Sequence, residues 1–143
     1  MNIQQLPMEF CVCRLSSMDG PGLPEGLFFL AKTEDEISLV CEAGRVPENA
    51  TAVQPGFSAF KLCGVLDFDL IGIIAGIAGV LAKNRISIFV VSTYNTDYFL
   101  VKSAECGRAS RVLERAGYRI IGPGQTPAAQ NPRALVKEKC PDM

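Results

Sequence analysis

The sequence predicts an α+β fold, and three observations carry that prediction. Residues 60–102 pass without interruption from a strand-like segment through an acidic turn and a glycine-studded apolar stretch into a polar hairpin. The hydrophobic period switches from two to helical at Asp69 and back to strand character at Ile86. A further stretch near helical spacing, residues 103–117, precedes a short final strand. The order over residues 57–121 is therefore βαββαβ, the split-βαβ or ferredoxin-like plan of two helices on one face of a four-stranded antiparallel sheet.

Each element has a local reason. Residues 9–15 alternate as a strand and end in a Pro/Gly-rich loop over 16–26. Residues 27–32 form a compact apolar run of strand length, 33–36 are expected to cap one helical turn, and 37–41 are a second short strand. Residues 42–54 hold Gly44, Pro47 and Asn49 without a sustained period and are a connection. A strand over 57–63 follows. Thirteen apolar or glycine residues, 70–82, then give a helix with Asp69 as its N-cap and Lys83 and Arg85 at its cationic end. Residues 86–92 and 98–102 are β-branched and aromatic and flank the polar turn 93–97, which makes a hairpin. In the second helix Ala104, Ala109, Val112, Leu113 and Ala116 share a face, with Gly117 at C′ and a strand over 118–121 behind it.

Composition excludes several function classes. At 143 residues the chain can bury a sizeable core, and 48% apolar with 20% charged residues is a globular balance. A formal net charge of −1 without a basic stripe argues against nucleic acid. The complete lack of histidine removes the usual general base, the usual catalytic triad and most zinc chemistry, so no enzymatic activity is expected. The N-terminal residues have no secretory pattern, which suggests a cytoplasmic protein, and thirteen apolar residues are too few for a membrane span. The six cysteines are therefore expected as reduced, buried thiols. Cys11 and Cys13 are expected on opposite faces of their strand, unable to chelate, and neither a metal nor a cofactor is expected.

Three motifs carry a family likeness: residues 66–73, with Leu66-Asp67-Phe68-Asp69-Leu70-Ile71-Gly72-Ile73, the segment Ile86-Ser87-Ile88-Phe89, and Ser92-Thr93-Tyr94-Asn95-Thr96-Asp97-Tyr98. Together they resemble the ACT-domain family, and within it the tandem ACT proteins to which the cytosolic arginine sensors of the mTOR pathway belong. The resemblance implies two ferredoxin-like ACT units: a degenerate, β-rich one over residues 1–55 and a second over 56–122, followed by a flexible tail over 123–143. It implies a non-catalytic, allosteric sensor that binds an amino acid, that forms homodimers by joining sheets or packing helices, and that acts on a regulated protein partner. The binding positions it implies are Asp67, Asp69, Leu70, Ile71 and Gly72 at the turn into the helix and Thr93, Tyr94 and Asp97 on the hairpin, with the ligand between segments 66–72 and 92–98. The alternative is a protein–protein assembly module indifferent to ligand.

These residue types suit an amino acid. A helix N-terminus offers free N–H groups and partial positive charge to an α-carboxylate, and Gly72 leaves the approach open. The carboxylates of Asp67, Asp69 and Asp97 suit an α-ammonium or a cationic side chain, through contacts of about 1.5–3 kcal/mol each. Gly72, Gly76 and Gly79 within a helix cost roughly 0.8–1 kcal/mol apiece relative to Ala, and close packing is the expected compensation.

Overall fold

The computed structural model describes residues 1–19, 22–64 and 71–125. In chain order they form strands β1 (Asn2–Leu15), β2 (Phe28–Lys32), β3 (Ile37–Glu42) and β4 (Ala50–Leu62), helix α1 (Ile73–Lys83), and strands β5 (Phe89–Ser92) and β6 (Asp97–Lys102). A 3-10 turn (Ser103–Glu105), helix α2 (Cys106–Arg115) and strand β7 (Arg119–Ile121) complete the order. The fold is α+β, rich in sheet, with two α-helices. The chain divides into a β body, Met8–Ser58, and an α/β body, Met1–Pro7 with Ala59–Met143, so that β1 and β4 contribute residues to both.

In the β body the strand order is β2-β3-β1-β4. Strands β1 and β3 pair antiparallel, with Cys11 opposite Cys41 and Cys13 opposite Leu39, and β2 pairs antiparallel with β3. This is the ferredoxin-like strand order, and among the described residues no helix connects these strands. The helical turn expected at 33–36 is instead a hairpin turn: Thr33 N–H donates to the Glu36 carbonyl at 2.9 Å. The Thr33 hydroxyl accepts from the N–H groups of Asp35 and Glu36, so a threonine read as a helix cap closes a strand pair. The expectation that Cys11 and Cys13 face opposite ways is also corrected. Side chains two apart on a strand share a face, and both thiols pack with Leu15, Leu39 and Cys41 in one buried cluster.

In the α/β body the four-stranded sheet expected from the βαββαβ order has a fifth strand. The start of β1 lies between β7 and β4, pairing parallel with β7 through Asn2–Arg119, Ile3–Ile120 and Gln4–Ile121. On its other side Cys63 N–H donates to the Asn2 carbonyl at 3.0 Å. The sheet therefore reads β7-β1-β4-β6-β5. Its helix-bearing face is filled by Ile3, Phe60, Leu62, Phe99 and Val101 from the strands and by Ile77, Leu81, Ala109, Val112 and Leu113 from the helices. Phe60 and Phe99 stack with ring centroids 4.9 Å apart.

Helix α1 begins later than the sequence suggests. Its N-cap is Gly72, in a left-handed conformation (φ 79°), rather than Asp69. Glycine accepts that conformation without strain, which is why the chain turns into the helix there. Gly76 is the glycine that close packing explains, since a Cβ there would stand 3.0 Å from the Tyr118 hydroxyl, whereas one at Gly79 would meet nothing within 4 Å. Both helices end alike. Ile86 N–H donates to Leu81 and Arg85 N–H to Ala82, and after α2 Tyr118 N–H donates to Leu113 and Gly117 N–H to Glu114. These are Schellman bonds, with Arg85 (φ 57°) and Gly117 (φ 101°) at the left-handed C′ position. The first of them turns Ile86 inward and delays the strand, expected from residue 86, to Phe89.

Candidate functional site

The hairpin is built as a closed unit. Strands β5 and β6 pair from Phe89–Leu100 to Ser92–Asp97. Between them Thr93 N–H donates to the Thr96 carbonyl at 2.8 Å, and the Thr93 hydroxyl donates to the same carbonyl at 2.9 Å. Thr93 therefore shapes the turn. Thr96, which sequence reasoning passed over, is buried, and its hydroxyl donates 2.8 Å to the carbonyl of Leu62 at the end of β4. That bond holds the hairpin turn beside the exit of β4. Nothing in the sequence distinguishes Thr96 from any other polar turn residue. The same bonding recurs between Thr33 and Glu36, and β3 and β6 share a burial pattern in which the third, fourth and fifth residues are buried.

The remaining sequence-predicted positions divide. Asp97, half-buried, begins β6 and lies on the same strand face as Phe99 and Val101, the face that carries the helices. Gly72 is the exposed N-cap of α1, with no side-chain cap and no acidic residue in the first turn. Ile71 and Tyr94 project outward, 70% and 80% exposed. Asp67, Asp69 and Leu70 lie outside the described residues, as does the tail from residue 126. The described part of the site thus brings together Thr93, Thr96 and Asp97 at the exit of β4, and gives α1 a first turn without side-chain caps.

The electrostatics near the hairpin are simple. Burial pushes the Cys63 thiol up, with nearby Lys61 opposing the shift, so this thiol is held protonated and is a poor nucleophile. On the opposite face of the sheet the Lys61 ammonium lies 5.9 Å from the centre of the Tyr98 ring. Among the described residues no group of three or more Cys, Asp or Glu side chains has metal-binding geometry, and no helix is long and apolar enough to cross a membrane.

Comparison with known proteins addresses the same region. Residues 52–115, from β4 through α2, match the family model of the ACT domain. A curated relative from Bos taurus, the cytosolic arginine sensor for mTORC1 subunit 1, is 32% identical over 110 residues, taking in 71% of this chain and 33% of that protein. The chain thus spans about a third of that relative's length. The crystal structure of a protein from Agrobacterium tumefaciens is 31% identical with a TM-score of 0.75, covering 90% of this chain and 97% of that one. Aspartate kinase from Clostridium acetobutylicum superposes with a TM-score of 0.59 at 14% identity, over 80% of this chain and 33% of the enzyme, and shares the fold.

Proposed function

The chain belongs to the ACT-domain family, and on that premise we propose that it is a non-catalytic regulatory protein that binds an amino acid at the corner between residues 66–72 and 92–98. The observation that carries the reading is the Thr96 bond to Leu62. It anchors the hairpin beside the exit of β4, with Asp97 on the helix-bearing face. The α-carboxylate is received by the first-turn N–H groups of α1, a turn that itself holds no acidic residue. Asp97, with Asp67 and Asp69, receives the α-ammonium or a cationic side chain. Three carboxylates favour arginine or another cationic amino acid, in keeping with the bovine relative, a cytosolic arginine sensor.

The β body is the degenerate first ACT unit in this reading. Its support is the strand order β2-β3-β1-β4 and the turn at Thr33 that repeats the bonding at Thr93. The protein acts in the cytoplasm as a homodimer that reports ligand to a regulated partner. Strand β5 supports the dimer: it ends the strand order, carries no charge, and leaves Phe89 and Val90 37% and 38% exposed, an edge that among the described residues pairs with no further strand and suits antiparallel pairing with a second copy.

A thermal-shift screen of the reduced protein against the twenty amino acids tests the reading, because a ligand of the native state raises the midpoint by mass action. A selective shift, lost in Asp97→Ala while the unliganded midpoint holds, is the expected result. A flat screen on folded protein removes the sensor reading and leaves the assembly module. An unchanged affinity in Asp97→Ala removes that residue from the site.

A further inference from the structure

We propose that the outward face of α2 docks the acidic hairpin tip between β2 and β3 of a second copy of this chain, a contact distinct from the β5 edge and from the corner around Asp97. Charge complementarity carries it. Residues 71–125 of the α/β body hold seven cationic and three acidic side chains, a net +4. Residues 8–58, the β body, hold eight acidic and three cationic side chains, a net −5. The formal charge of −1 for the whole chain conceals that division.

On α2 the buried Ala109, Val112 and Leu113 set the inner face. Arg108, Arg111 and Arg115, spaced three and four apart, share the outward one. Arg108 is already engaged, its guanidinium donating twice to Glu105 at 2.8 Å. Arg111 and Arg115 are exposed, and neither forms an ion pair among the described residues. Arg111 lies back along the helix, its Nη1 3.4 Å from the place of a Cβ on Gly107. Glu114 flanks the pair as the exposed acid of this helix, one carboxylate against two guanidinium groups, so the face keeps a positive excess.

The hairpin tip supplies the complement. Glu34 and Asp35 are adjacent and exposed, and the Thr33 bonds to Glu36 fix the turn that carries them. Glu36 is engaged elsewhere: it accepts from the Ser38 hydroxyl at 2.7 Å, and Arg14 lies 3.9 Å away. Glu34 and Asp35 form no ion pair among the described residues. Two carboxylates on a fixed turn match two guanidinium groups one helical turn apart, each able to form a forked pair. A second copy is the occupant because this chain carries both halves of the contact. Tip and helix face are different patches, so the contact is heterologous, each copy giving one and receiving one.

Sedimentation velocity of the full chain at about 0.03 M and about 0.5 M sodium chloride tests the contact, because salt screens exposed charges, and self-association weaker by roughly tenfold or more at the higher salt is expected. Arg111→Glu with Arg115→Glu should abolish that salt-sensitive step, and so should Glu34→Lys with Asp35→Lys. Mixing the two charge-reversed proteins should restore it. Thermal midpoints check that both fold, and should the α2 variant fail, loss or survival of the step in the hairpin variant decides. Association indifferent to salt or to charge reversal, mixtures that stay apart, or no self-association at either salt would overturn the contact. Salt-sensitive binding of a polyglutamate peptide without self-association would overturn it too, and would assign the α2 face to an acidic partner of another sequence.

Discussion

The Thr96 hydroxyl donates a 2.8 Å hydrogen bond to the main-chain carbonyl of Leu62, thirty-four residues earlier in the chain. Both groups are buried, so the bond ties a surface turn to the core of the α/β body. Thr96→Val keeps the shape, leaves the Leu62 carbonyl without that donor, and is expected to cost about 1–3 kcal/mol in urea unfolding. Thr96→Ser keeps the hydroxyl and should lose only about 1 kcal/mol, for one buried methyl. A valine variant as stable as the parent would show that the bond does not hold the hairpin.

The glycines of α1 should separate by their neighbours. Gly79→Ala meets nothing within 4 Å and should raise stability by about 0.8–1 kcal/mol, the full helix-propensity gain. Gly76→Ala sets a methyl 3.0 Å from the half-buried Tyr118 hydroxyl, so the same gain is offset and the variant should be neutral or destabilised. Equal gains at both positions in denaturant titrations would mean that Tyr118 yields freely.

Arg85 is exposed and holds the left-handed C′ position after α1, where a side chain is strained. Arg85→Gly relieves that strain and loses no buried surface, for an expected gain of about 1 kcal/mol. A loss of stability on calorimetry would instead assign Arg85 a contact that outweighs its conformational cost.

Burial, reinforced by Cys13, pushes the Cys41 thiol up to about 12 from an ordinary value of 9.0. The sign follows from proton counting. Between those two values the unfolded chain has released a proton that the folded chain retains, so stability falls as pH rises, and below the lower value this group adds no pH dependence. The denaturation midpoint should therefore decline above pH 9, less steeply in Cys41→Ala. Native protein should also leave Cys11, Cys13 and Cys41 unlabelled by iodoacetamide at pH 8, as mass spectrometry of the digest would report. Rapid native labelling of Cys41 would contradict its burial.

Much of the α/β body was legible because local signals agree there. The period change at Ile86, the polar turn between two β-branched runs and Gly117 behind the second helix each specify an element from a few adjacent residues. The misses have equally local causes. Asp69 is a stronger N-cap signal than Gly72, yet a left-handed glycine starts the helix. Thr33 followed by acidic residues resembles a helix cap as closely as a hairpin turn, and strand pairing settled the choice. Of the candidate site, Thr93 and Asp97 stand out by type and place, whereas Thr96 looks like filler.

Residue order was sufficient to set the α+β class, the run of elements from 57 to 121 and the polar corner at the hairpin, because periodicity and turn chemistry act over a few residues. It could not show that the start of β1 enters the sheet between β7 and β4, or that Thr96 reaches Leu62. Those are pairings between distant segments, and Gln4, Gln5 and Pro7 give a weak local strand signal. The backbone groups of Asn2, Ile3 and Gln4 find partners only once β7 and β4 are in place, so the fifth strand is a product of assembly rather than of local preference.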